Sequence, residues 1–420
     1  MLPISLGLAL YTSVALALRV DPVDTKSPPR RDVSDAPSYR SHLIDLHRDL
    51  VSIKSTSGVE EDVGAFLTDY FLEKGWMSTL QVVPPRDNTP SGSDRMNVVA
   101  WPDSDKSPNP KVLLTSHIDT VPPHIPYDIE DGEITKQTRI SGRGSVDAKA
   151  SVASMIVALE QLLEVGDVQS DDVMLLFVVG EEVSGDGMRV FNTSLDDMDP
   201  KPKFEAVIFG EPTENKLACG HKGALFCSLD VQGIGGHSGY PWLGKSATEL
   251  LVRAMKEVLD ADLGSSKEYG NTTVNLGRIE GGVAENVIPE HAHAGLMVRV
   301  ALGPKETGGK VVQERIQAIL DSIDQDAFDL VCSQGYGFVE AECAVDGFES
   351  IVVNYGTDMP NLDGDFTRYL YGPGTILVAH GPHENVTVGD LESAVEGYQR
   401  LVMHALHGDS GDSALSLDEL

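Results

Sequence analysis

Basic side chains are scarce in this chain: Lys and Arg number 32 against 65 Asp and Glu over 420 residues. The resulting net charge of -33 repels polyanions, so nucleic acid and an anionic membrane face are excluded as partners. Long apolar runs are missing beyond residue 18, which leaves no later segment able to span a bilayer. There is no internal repeat. Cysteine is limited to Cys219, Cys227, Cys332 and Cys343, an even set with three connectivities. Pairing sequence neighbours, Cys219 with Cys227 and Cys332 with Cys343, closes the shortest segments and is the expected pattern.

Apolar residues make up 41% of the chain, ample for globular cores, and the length favours two domains over one. Residues 1–17 are uncharged and mostly apolar and contain Ala15-Leu16-Ala17, which has the form of a signal-peptidase site. They predict a signal peptide and a secreted protein, with a vacuolar location second. The polar, proline-rich stretch 18–38 reads as a linker or propeptide, with Arg30-Arg31 as a dibasic processing site. Sequons at Asn192, Asn271 and Asn385 fit a secretory route. Residues 409–420 form an acidic tail whose final "LDEL" lacks the Lys or His of a retention signal.

From about residue 39, helical spacing alternates with short β-branched runs: "MNVVAW", "KVLLTSH", "DVMLLFVVG", "FEAVIFG". This predicts an α/β domain with a mixed, mostly parallel sheet. The clearest helix is "DAKASVASMIVALEQLLEVG", with apolar Val152, Met155, Ile156, Leu159 and Leu163 and a stop at Gly166. Past residue 217 the order becomes strand, helix, two strands, helix, strand, the pattern of a ferredoxin-like α+β domain. "GPGTILVAHG" then reads as a returning parallel strand, followed by a final helix. The expected plan is a catalytic domain in two parts, 39–217 and 346–408, interrupted by a smaller lid domain, 218–345. The segment "GFESIVVNYGTDMPNL" has no helix where that plan expects one.

In open α/β sheets, ligands gather beyond the carboxyl ends of the strands. Those ends deliver His117 and Asp119, Glu181 and Glu182, Glu211, and His380; a loop with Gly142 and Gly144 delivers Asp147. Each alone has a bland reading, as a satisfied histidine, a helix cap or a solvated acid. Together, several carboxylates at one buried edge repel and lose hydration, at a cost of several kcal/mol per uncompensated charge. Cations offset that cost. Imidazole and carboxylate donors without thiolate suit zinc, with cobalt or manganese as alternatives, and the donors suffice for two ions that share a carboxylate and hold a hydroxide between them. On extended backbone, Glu181 and Glu182 point to opposite sides and need not compete for one position.

"SHIDT", "GRGSVDAK", "VVGEEVSGDG", "GEPT", "GGHSG" and "AHGPHE", in this order, resemble the di-zinc hydrolase family of aminoacylase, glutamate carboxypeptidase, acetylornithine deacetylase and succinyl-diaminopimelate desuccinylase. This is the twentieth family of metallopeptidases, in clan MH. With its leader, the chain looks closest to secreted fungal carboxypeptidase-like members. The resemblance implies a di-zinc exopeptidase fold with a lid, and two Zn2+ ions bridged by Asp147. It puts Glu182 with His117 on one ion and His380 with Glu211 on the other. Glu181 becomes the general base and Asp119 the acid that orients His117. His383 competes with His380, but the family spacing to the glutamate of "HGPHE" selects His380. In the lid, His237 reaches a substrate carbonyl across a homodimer interface, and Asn275 and Arg299 hold the substrate carboxylate.

The expected function is a secreted zinc carboxypeptidase or dipeptidase that cleaves an amide beside a free carboxylate through a metal-bridging hydroxide. An aminoacylase-type deacylase acting on N-acyl amino acids and a catalytically silent binding protein on the same fold remain open. Glycans are expected at Asn192 and Asn271. Asn385 is expected bare, because a glycan there would crowd the site.

Overall fold

The computed structural model describes residues 36–102, 109–198 and 201–408. The expected signal peptide, all but the last residues of the linker, and the acidic tail therefore lie outside the described residues. Contacts separate Met1–Ser38 from a unit that begins at Tyr39, and the elements below all belong to that second unit.

A six-stranded sheet forms its centre, in the order Met77–Val83, Arg95–Trp101, Val173–Val178, Val112–His117, Ala206–Gly210, Thr367–Tyr371. The first two strands pair antiparallel and the last four run parallel, the mixed sheet expected. Val173–Val178 is buried along its whole length because both of its faces are covered. Val173, Leu175 and Phe177 enter a core with the helices Arg40–Ser52, Lys149–Val165 and Val388–His407; Met174, Leu176 and Val178 enter a second core on the other face. Lys149–Val165 stops at Gly166, whose φ of 81° is the left-handed cap that glycine adopts without strain.

The segment expected as a lid holds the strand Gly223–Gln232, helix Ala247–Asp260, strands Thr273–Gly281 and His291–Val300, helix Gly308–Ile323 and strand Phe328–Cys332. All four strands are antiparallel, in the order second, third, first, fourth, and they enclose a core of their own. Near the expected boundaries, Leu217–His221 pairs with both Val339–Glu340 and Ser350–Val353, so the chain enters and leaves this segment beside one small sheet.

Two expectations are corrected. The disulfides are Cys219–Cys343 and Cys227–Cys332, not the local pairs. Cys219 and Cys227 lie on successive strands, and eight residues of extended chain exceed the reach of about 7 Å that a disulfide allows. Cys227 and Cys332 instead face each other in register on adjacent strands, with Cα atoms 4.1 Å apart. The returning strand is Thr367–Tyr371, while "GPGTILVAHG" holds only the short 3-10 turn Ile376–Val378. Pro373 has no N–H to give a ladder and Gly374 sits at φ 71°, so the apolar run is turned out of the sheet and leaves Leu377 85% exposed.

Candidate metal centre

His117 ends its strand, and the two neighbouring parallel strands lead into Glu181 and Glu211 at the same sheet edge. Asp147 comes from the loop ahead of Lys149–Val165, and His380 from the loop after the 3-10 turn. His117 Nε2 lies 3.1 Å from Asp147 Oδ1 and 4.0 Å from Glu211 Oε2. His380 Nε2 lies 3.1 Å from Asp147 Oδ2 and 2.9 Å from Glu182 Oε2. Asp147 thus turns one oxygen to each imidazole, as a bridging carboxylate must. Donors of His117, Asp147 and Glu182 fall within 4.8 Å of one another, as do those of His117, Glu181 and Glu211. The structure brings together all five expected ligands and Glu181.

The contacts pair these residues differently from the resemblance. His380 meets Glu182 and His117 approaches Glu211, because the His380 loop closes over Asp147 and Glu182. Glu182 also keeps an oxygen within 4.8 Å of a His117 nitrogen. His383 is exposed, and its carbonyl accepts the Asn385 side-chain amide. Nor do Glu181 and Glu182 sit on extended backbone. Gly180, at φ 77°, starts a turn in which the N–H groups of Ser184 and Gly185 donate to its carbonyl at 3.1 and 2.8 Å. The two side chains diverge because successive positions in such a helical turn point about 100° apart.

Three buried polar groups hold this arrangement. Asp119 accepts from the Ser57 hydroxyl at 2.6 Å and from the backbone N–H groups of Glu181 and Glu182 at 3.1 and 3.3 Å. His117 Nδ1 donates to the Asp119 main-chain oxygen at 2.9 Å, with the carboxylate at 3.6 Å, so the Asp119 side chain positions the Glu181 turn at least as much as the imidazole. Glu384 accepts from the N–H groups of Gly144, Val146 and Asp147 and pairs with buried Arg143, which also donates to the carbonyls of His380 and Gly381. Arg95, fully buried, joins Glu60 to Asp186 behind the glycine turn. Glu384 stood in a quoted motif; Ser57 and Arg95 carried no signal in the sequence.

Burial pushes Glu181 and Glu211 well above the usual carboxylate range, and their negative neighbours push further. Burial and then Asp147 raise Glu182. Asp147, although buried, is held low by hydrogen bonds from His117 and His380, and His380 is in turn pushed up to about 10, first by Asp147 and then by Glu182. Buried Asp358 nearby is raised by burial to about 6. Six carboxyls, Asp119, Asp147, Glu181, Glu182, Glu211 and Asp358, thus crowd one largely buried region with the buried His117 imidazole and the exposed His380 at its rim. That surplus of negative charge calls for cations, and oxygen and imidazole donors without sulfur suit divalent zinc, cobalt or manganese. The residues fit a pair of such ions.

The remaining expected residues are more dispersed. Arg299 lies within electrostatic reach of Glu181, and a Cβ on Gly356 would lie 3.4 Å from its Nη1 and 2.7 Å from the Tyr336 hydroxyl. Asn275 is exposed on the edge strand, on the same face as Arg299. His237 is exposed, hydrogen-bonded to Gly239 N–H at 3.0 Å and stacked edge-on with Tyr240. Asn271 is exposed, whereas the Asn192 amide group is engaged by Asp363 and that of Asn385 by His383.

The sequence pattern of peptidase family M20/M25/M40 matches residues 113–404. A "Peptidase M20 domain-containing protein" of Sordaria macrospora is 53% identical over 401 residues, covering 91% of this chain and 89% of that protein. A "Probable carboxypeptidase" of Aspergillus terreus is 45% identical over 391 residues, covering 89% and 88%. In fold, the chain is similar to a dinuclear metal-binding M20 peptidase of Bacillus subtilis, with a TM-score of 0.60 and 14% identity over 87% of this chain and 97% of that one. An edge of carboxylates and imidazoles with the donors for metal ions fits these relatives, and the chain belongs to peptidase family M20/M25/M40 as a metallopeptidase.

Proposed function

We propose that this metallopeptidase is a secreted carboxypeptidase or dipeptidase that hydrolyses an amide beside a free carboxylate. The observation that carries the reading is Arg299, a largely buried guanidinium that forms no salt bridge among the described residues and lies close enough to Glu181 to feel its charge. A cation within electrostatic reach of the candidate base suits a substrate carboxylate two bonds from the scissile amide nitrogen. The names of the fungal relatives support the same class.

His117, Asp147, Glu182, Glu211 and His380 would hold two divalent cations, Zn2+ with Co2+ or Mn2+ as alternatives, which when bound polarise a carbonyl and lower the pKa of water. Glu181 takes the proton of the attacking water and returns it to the leaving amine. Asp119 keeps His117 and the Glu181 turn in place through the contacts described above. Arg299 and Asn275 bind the carboxylate. His237, far out on its loop, reaches the substrate carbonyl of a second copy in a homodimer formed through the lid.

A screen of N-blocked dipeptides and N-acyl amino acids on the mature protein, with and without chelator, tests the assignment. Hydrolysis of dipeptides that chelator abolishes is expected. Activity confined to N-acyl amino acids would replace it with an aminoacylase-type deacylase. The apolar leader and the disulfides support secretion. Glycopeptide mapping of protein from the culture medium is expected to find Asn192 and Asn271 occupied and Asn385 bare.

A further inference from the structure

Behind the candidate base lies a cavity of about 10 Å³ lined by Thr115, His117, Glu181, Glu211 and Asp358, its remaining wall largely side chains of the second core. Thr115 precedes His117 by two residues on the same strand, so both side chains stand on one face of the sheet. Two atoms in this wall are buried without a protein partner: Thr115 Oγ1 and Asp358 Oδ2. Thr115 is 1% and Asp358 5% exposed. Leaving two such atoms unsatisfied costs about 1–3 kcal/mol each, and buried polar groups in folded proteins are almost always paired. Asp358 is itself well fixed. Its Oδ1 accepts the Asn361 amide at 2.9 Å, Asn361 Oδ1 accepts Arg189 Nε at 3.0 Å, and Gly185 packs so closely that a Cβ there would meet Asn361 Nδ2 at 2.1 Å. The carboxylate is therefore held with Oδ2 left over.

We propose that Thr115 and Asp358 hold one water molecule in this cavity, hydrogen-bonded onward to Glu181, which makes Asp358 a positioning residue for the candidate base. The volume suits a single water, and the chemistry matches its capacity. The water accepts from the Thr115 hydroxyl and donates one hydrogen to Asp358 Oδ2 and the other to the Glu181 carboxylate. A carboxylate faced by other carboxylates would otherwise have no donor on this side to fix its orientation. The role of Asp358 rests on Glu181 acting as the base; the water does not.

A high-resolution crystal structure of the metal-loaded wild type is expected to show one oxygen at about 2.7–3.1 Å from both Thr115 Oγ1 and Asp358 Oδ2. In the same protein, Thr115→Val and Asp358→Asn keep the shape but break the link; each is expected to lower kcat roughly 10- to 100-fold while KM and bound metal stay near wild type. Thr115→Ser, which restores the hydroxyl, is expected to recover kcat. No density in the cavity, or a cation there with oxygen neighbours near 2.4 Å, overturns the water. Folded variants with lowered melting temperature but unchanged kcat overturn the positioning role. A wild type that hydrolyses none of the screened substrates overturns that role and the proposed function together, while the density still decides the water.

Discussion

Glu181 and Glu182 are neighbours whose side chains meet different partners, and this divergence makes their roles separable. Glu182 touches His380 at 2.9 Å, whereas Glu181 has donors only in the cluster with His117 and Glu211 and faces the water-sized cavity. Glu182→Ala is expected to lose bound metal, read by elemental analysis of the dialysed protein. Glu181→Gln is expected to keep its metal and lose about 10²- to 10⁴-fold in kcat, the usual worth of a positioned general base. Equal metal loss in both variants would end the distinction. These residues were visible in the sequence only jointly: an acidic pair alone reads as solvated, but several carboxylates and histidines delivered to one sheet edge carry a charge cost that calls for cations. Thr115 and Asp358 were not, since a threonine in a strand and an aspartate in a turn are ordinary until a shared cavity relates them.

At the scale of elements, the metal centre depends on two loops that meet nowhere in sequence. The Asp147 loop and the His380 loop are joined through the Arg143–Glu384 pair, with Glu384 receiving three backbone N–H groups from one loop and Arg143 donating to two carbonyls of the other. Removing one partner of a buried pair leaves the other uncompensated. Glu384→Ala is expected to cost about 3–5 kcal/mol in urea unfolding and to weaken metal retention. Conservative Glu384→Gln, which can still accept from the N–H groups, is expected to retain part of both. His380 has φ 61°, unusual for a residue with a side chain, and this pair is what holds it there. Helices and the buried strands followed their hydrophobic periods. The misread strand "TILV" shows the limit of that rule, because an apolar run flanked by Gly-Pro-Gly can be turned out of a sheet by backbone alone.

Across the whole molecule, two fully buried imidazoles link stability to pH. His47 Nε2–H donates to the Ser145 carbonyl at 2.9 Å, and His221 is held by Lys222 O and Thr357 Oγ1; burial lowers both to about 4. The unfolded chain therefore binds more protons than the folded one between about pH 6.5 and 4. Stability from these groups is complete above pH 6.5 and falls as pH drops through that window, by up to about 3 kcal/mol each. Urea midpoints at pH 7 and pH 5 are expected to differ less in His221→Gln than in wild type. The disulfides act at the same scale: each closes a loop of 124 or 105 residues, worth about 4–5 kcal/mol by chain entropy. Melting in reductant is expected at a markedly lower temperature, with unchanged melting if the bridges contribute nothing. By itself the sequence determined the α/β class with its mixed sheet, most of its helices and strands, and which His and carboxylate side chains gather at one sheet edge, because periodicity and motif order are local properties. Tertiary structure alone decided which cysteines pair, which imidazole meets which carboxylate and what stands behind Glu181. Each of those depends on contacts between residues far apart in the chain, and no local pattern carries the distance between them.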